Sequence, residues 1–184
     1  MSGPPEDDFE VVVRPGFALA LALLLLAYTA LHAFAGRIAG QPAQFEASLN
    51  WAAGVVVLVL LGTTMHELGH VLAAVAVGHR WTKVVLNAAG LGVAIRPHPH
   101  GWHRITRSLT GPLVQVLVGL PMLAAVLLEG PGGQLGISTG RHSVWWVAGA
   151  SNLLLAVVNL LPFRGLDGGK VLAGIGDLVA RRRS

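Results

Sequence analysis

Apolar positions in this chain fall into long, nearly unbroken blocks, and polar positions gather between them. Residues 17–35 are apolar apart from Tyr28, Thr29 and His32, and residues 51–77, 109–128 and 143–161 form three further blocks. A helix rises 1.5 Å per residue, so each block is about long enough to cross a hydrocarbon core of roughly 30 Å. Residues 82–86 and 91–95 read as two short strands about an Asn87-Ala88-Ala89-Gly90 turn. After the fourth block, Pro162, Gly165, Gly168 and Gly169 break the helix. The apolar segment 171–179 is too short to span and ends in Arg181, Arg182 and Arg183, as a membrane-edge helix with a basic stop would.

The expected fold is an all-α membrane protein with about four transmembrane helices. A β-hairpin-like segment separates spans two and three, and a broken helix follows span four. The division along the chain is a polar N-terminal tail at 1–16, an accessory transmembrane helix at 17–36, a three-span core at 51–175 and a basic C-terminal tail at 176–184. Ala33-Phe34-Ala35 resembles a signal-peptide cleavage site, but the region before the first block is acidic, with Arg14 its one basic residue, which argues for a retained span.

Composition supports a bilayer location: 53% of residues are hydrophobic, 12% are charged, and the mean hydropathy is +0.64. With no cysteine, disulfides, thiolate catalysis and Cys-ligated metals are excluded. The net charge of +4 acquires meaning once four spans alternate sides. Eleven basic residues then fall on the side of the termini and the 78–108 segment, against Arg37 and Arg141 on the other. By the positive-inside rule both termini face the cytoplasm. No aromatic-plus-basic array of the kind that stacks bases is present, so no nucleic-acid partner is expected.

One polar cluster interrupts the second block: His66-Glu67-Leu68-Gly69-His70, a case of H-E-x-x-H. On a helix, residues four apart lie about 40° apart in projection, so His66 and His70 share a face and can hold one metal ion. Glu67 is turned about 100° from His66 and can serve a water beside the metal. Ionisable groups in a span cost several kcal/mol unless paired or functional, which favours a metal site over a chance arrangement. A zinc site needs a third protein ligand. Asp167, directly after span four and on the same side of the membrane, can approach if the chain re-enters there; equally, it can cap the final helix.

HELGH in a span, Gly111-Pro112-Leu113 opening the next, and Asn159-Leu160-Leu161-Pro162 followed by Leu166-Asp167-Gly168-Gly169 together resemble the site-2 protease family of intramembrane zinc metalloproteases. The resemblance covers roughly residues 51–175. It implies that His66, His70 and Asp167 ligate one Zn2+ per chain, that Glu67 is the catalytic base, and that the core cleaves membrane proteins in or near a transmembrane segment. The chain departs from the family pattern at Gln115, where asparagine is frequent, and at Arg164 and Gly165, where prolines are common. No appended PDZ-like or nucleotide-sensing domain is expected in this compact form.

Asn152, Asn159 and Gln115 are candidates for stabilising the oxyanion or binding substrate; interhelical hydrogen bonding is the equal alternative for the two asparagines. His98, His100 and His103 read as part of a solvated basic loop, because Pro97 and Pro99 break regular ligand geometry. His32 reads as a helix-packing residue. The expected partners are a membrane-protein substrate with a transmembrane helix and the bilayer of a prokaryotic cell membrane. The rival readings are a catalytically silent scaffold of the same fold and a haem- or metal-carrying bundle using His32, His66, His70 or His142.

Overall fold

The computed structural model describes residues 10–40, 44–87, 90–96, 100–129 and 139–182. The elements run β1 (Glu10–Val13), α1 (Gly16–Ile38), α2 (Phe45–Ala76), β2 (Arg80–Asn87), β3 (Gly90–Arg96), α3 (Trp102–Glu129), α4 (Thr139–Asn159) and α5 (Asp167–Arg181). Among the described residues, Gly16–Ile38, Phe45–Ala76 and Trp102–Leu128 are long and apolar enough to cross a membrane. The expected fourth span is α4, whose apolar stretch Val144–Asn159 is shorter than a full crossing. Leu23, Leu26, Val57, Leu113, Leu117 and Leu154 point outward, as lipid-facing side chains do.

α2 is the axis of the bundle. Its N-terminal half buries Trp51, Ala52, Val55 and Val59 against Met122 of α3 and Ala148 of α4, with Leu25 and Tyr28 of α1 packed on the outside. Tyr28 Oη is 2.7 Å from Ser151 Oγ, which ties α1 to α4. His32 is a packing residue as expected: its ring stacks on Trp51 at 4.7 Å, and its Nδ1 is 3.0 Å from Ser48 Oγ.

Several boundaries differ from those read off hydropathy. α2 begins at Phe45 and α3 at Trp102, each about two turns before the apolar block it contains. Helix continues there because the preceding residues include no breaker, while apolarity marks only the portion in lipid. The helix passes through both Pro112 and Pro121. The three-stranded sheet has the order β1-β2-β3, with β1 parallel to β2 and β2 antiparallel to β3. The hairpin was expected, with shorter strands. β1 was not: residues 10–13, assigned to the polar tail, pair in register with Lys83, Val84, Val85 and Leu86. Glu-Val-Val-Val has strand propensity but needs an edge to complete it, and β2 supplies that edge. An ion pair between Glu10 and Lys83 at 2.8 Å reinforces the register.

After α4 the chain turns tightly. Leu166 N donates to Phe163 O at 3.2 Å, and Gly165 takes φ +97°. α5 then folds back along α3. A side chain at Gly168 would collide with the carbonyls of Leu160 and Leu161, so only glycine lets the first turn of α5 sit so close to the end of α4. At the far end of α5, Asp177 accepts a hydrogen bond from Gly101 N at 3.0 Å and lies 3.3 Å from the Arg104 guanidinium. His100 Nδ1 is 3.7 Å from the same carboxylate. The Gly101 amide, with the nearby cations, holds the Asp177 carboxyl below its usual range. His103 lies exposed on α3, outside any loop, and its ring approaches His79 at 5.7 Å; His98 lies outside the described residues.

Candidate metal centre

α2, α3 and α5 converge on the C-terminal half of α2. His66 and His70 are buried, as their position four residues apart on an inward face requires. Each imidazole is oriented from behind. His66 Nδ1–H donates to Gln115 Oε1 at 3.1 Å, and His70 Nδ1–H donates to the Arg107 carbonyl at 2.7 Å. Both partners are acceptors, so both Nδ1 atoms carry a proton and the two Nε2 atoms are the nitrogens turned inward.

Those two Nε2 atoms lie 3.0 Å apart. Asp167 Oδ2 completes a triangle, 3.0 Å from His66 Nε2 and 3.2 Å from His70 Nε2. Donor atoms this close repel one another unless a proton or a metal cation lies between them. Four-coordinate zinc, with bonds of about 2.0–2.2 Å, sets its ligands roughly 3.3 Å apart, so the donor set and its spacing fit that ion. Glu67 brings a second carboxylate within 4.8 Å of the histidine ligand atoms. Of the two, Asp167 is in direct contact with both rings, whereas Glu67 stands one step back.

Asp167 reaches this place as the first residue of α5. The N-cap is Leu166, without a side-chain capping bond, so the capping alternative for Asp167 is not the arrangement found. Its second oxygen, Oδ1, accepts from Lys170 Nζ at 2.7 Å. Lys170 was missed in the sequence; its signal was the i, i+3 spacing from Asp167 on a helix. Gly111 was noticed only as part of a motif. A Cβ there would collide with the rings of both His70 and His66, so the Gly-Pro step makes room for the imidazoles.

The three amide candidates are placed unequally. Gln115 is fully buried, with Oε1 on His66 and Nε2 donating to Asn152 Oδ1 at 3.5 Å. Asn152, also fully buried, donates to Ala148 O at 2.9 Å and to Leu58 O at 3.4 Å. The pair forms a polar chain from α4 through α3 to His66. Asn159 is half-buried at the end of α4, and its side chain is hydrogen-bonded to none of the described residues. A cavity of about 230 Å³ opens onto the centre, lined by Glu67, His70, Asp167, Lys170, Ser108 and Arg107, and Gly92 of β3 forms part of its wall. A larger apolar pocket of about 500 Å³, by His32 and Trp146, is remote from this chemistry.

A family model described as Peptidase M50B-like matches residues 18–158. The chain belongs to this family. The match spans α1 through α4 and includes the HELGH helix, so the site-2 protease resemblance of the motifs is borne out. Among curated relatives, a Synechocystis sp. protein provisionally named as a zinc metalloprotease is 28% identical over 89% of this chain and 40% of its own length. A zinc metalloprotease of Methanocaldococcus jannaschii is 27% identical over 70% of this chain and 35% of its own. The chain thus spans well under half the length of these relatives. The site-2 protease structure from Methanocaldococcus jannaschii shares the fold, with a TM-score of 0.61 at 22% identity, covering 88% of this chain and 64% of that one.

Proposed function

We propose that this M50B-like chain is an intramembrane zinc endopeptidase that hydrolyses a peptide bond in or near the transmembrane segment of a membrane protein. The observation that carries the reading is the triangle of His66 Nε2, His70 Nε2 and Asp167 Oδ2, with sides of 3.0–3.2 Å and Glu67 beside it.

His66, His70 and Asp167 hold one zinc ion in this reading, and when bound it acts as a Lewis acid that acidifies water and polarises a carbonyl. Glu67 takes the proton from the attacking water and returns it to the leaving amine. Gln115 and the Arg107 carbonyl hold the two Nδ1 atoms and so aim both imidazoles inward. Lys170 pairs with Asp167 Oδ1 and fixes its orientation.

A substrate helix hides its carbonyls in its own hydrogen bonds, so the reacting segment must be extended. β3 is an outer strand of the sheet and its Gly92 borders the cavity, so it offers a backbone edge for such a segment. We assign the catalytic core to residues 51–175, with α1 as an accessory span. In this reading both termini and the metal centre face the cytoplasm, a side supported by the concentration of basic residues in the sequence.

Co-expression with single-span membrane proteins tests the reading. Wild type should convert a cognate substrate to a shorter product, and Glu67→Gln should leave it intact while still binding zinc. Cleavage at near wild-type rate by Glu67→Gln would refute the base assignment.

A further inference from the structure

Two neighbouring residues on α3, Arg107 and Ser108, line the cavity beside Glu67, His70 and Asp167 with no task in the scheme above for their side chains. Ser108 is 1% exposed, and its Oγ has no hydrogen-bond partner among the described residues. A helical serine or threonine commonly satisfies its hydroxyl on the carbonyl one turn back, as Thr110 does on Thr106 O at 2.7 Å. Ser108 does not, and a buried hydroxyl left unpaired is destabilising.

Arg107 is half-buried, and among the described residues no carboxylate lies within ion-pair distance of its guanidinium, although it feels the charges of Asp167 and Glu67. Asp167 is committed through Oδ1 to Lys170 and through Oδ2 to the histidines. Lys170, the other cation lining the cavity, is thereby engaged as well. A guanidinium keeps its proton, and a half-buried fixed charge facing a cavity favours a counter-ion.

We propose that Arg107 and Ser108 form a subsite for a carboxylate of the substrate. Resting on the peptidase reading, this names a substrate class: chains that carry a carboxylate within a residue or two of the cut, a reach set by the cavity of about 230 Å³. A carboxylate accepts from a guanidinium and a hydroxyl at once, and both bonds are charge-assisted. It would satisfy the two groups that the folded chain leaves open. The carboxylate comes either from an acidic side chain or from a free C-terminus.

The test uses the full chain in phosphatidylcholine vesicles and a single-span leucine–alanine peptide with a central Gly-Gly. One pair of peptides carries Glu or Gln beside the Gly-Gly; a second pair ends just after it as the free acid or the amide. Binding is read by fluorescence anisotropy on Glu67→Gln, alone and combined with Arg107→Gln or Ser108→Ala, with zinc content confirming an intact centre.

At least one acidic peptide should bind about tenfold or more tightly than its amide partner. That preference should vanish with Arg107→Gln and shrink with Ser108→Ala. The pair that shows it identifies the source of the carboxylate. Equal binding of acid and amide, or a preference that survives Arg107→Gln, overturns the subsite. So does a finding that Arg107→Gln changes only the response to added phosphatidylglycerol, which would assign the guanidinium to lipid. Wild-type cleavage without acid preference removes the subsite and leaves the peptidase; acid-selective binding that never leads to cleavage removes the peptidase and leaves the subsite.

Discussion

His70 and Asp167 are 97 residues apart in the chain and 3.2 Å apart between Nε2 and Oδ2. The contact joins the axial helix to a short helix that is not itself a span, through the turn at 160–166. Asp167 should therefore matter for metal retention more than for folding. Asp167→Ala should lose most of the zinc measured by inductively coupled plasma mass spectrometry, and activity with it, while the circular dichroism of the bundle stays unchanged. Full zinc occupancy in that variant would remove Asp167 from the ligand set.

Gln115 acts on the centre through His66. Outer partners of metal-binding histidines typically contribute about 10–100-fold in metal affinity. Gln115→Leu should weaken zinc binding by roughly that factor in a competition titration with a chromophoric chelator. Gln115→Asn, one methylene shorter, should fall between wild type and Gln115→Leu if the chain to Asn152 adjusts.

Gly111 and Gly54 make a matched pair. A Cβ at Gly111 would collide with both imidazoles, whereas one at Gly54 would meet Val144 at 3.4 Å, an ordinary packing distance. Gly111→Ala should abolish zinc binding and activity. Gly54→Ala should retain both, with a thermal midpoint equal to or slightly above wild type, since alanine favours helix over glycine by roughly 1 kcal/mol. Similar losses in the two variants would mean that the bundle does not tolerate a methyl group at either helix contact.

Asp177 fastens the end of α5 to the start of α3, and its carboxyl is depressed chiefly by the Gly101 amide. A depressed carboxyl stabilises the fold above its unfolded value of about 3.9, and the effect fades as pH falls through the lower folded value. Asp177→Asn should thus be less stable than wild type at neutral pH, and the gap in thermal midpoint should close as pH drops below about 4. A gap independent of pH would show that the carboxylate charge is not what fastens the helices.

Removal of the metal gives a direct check on the centre. Dialysis against 1,10-phenanthroline should abolish peptide cleavage, and one equivalent of zinc should restore it. Activity unchanged by complete zinc removal would refute the metallopeptidase reading.

Much of this was legible in the chain. Apolar blocks mark spans because lipid tolerates little else, and HELGH places two imidazoles on one helix face by spacing alone. Hydropathy blurred the helix ends, since α2 and α3 continue into residues that water can reach. β1 was invisible for a different reason: Val11, Val12 and Val13 become a strand only once β2 offers an edge.

Sequence by itself determined the membrane class and the helix that carries the two histidines, because these follow from local periodicity and from the cost of charge in lipid; Asp167 as third ligand was named only through the family resemblance of its motif. The tertiary structure alone decided which carboxylate touches the imidazoles, that Gln115 and Asn152 link α4 to His66, and that Ser108 and Arg107 come together at the cavity. Those facts depend on how α3 and α5 pack on α2, where a few ångströms separate a hydrogen bond from none, and no spacing within one segment encodes that distance.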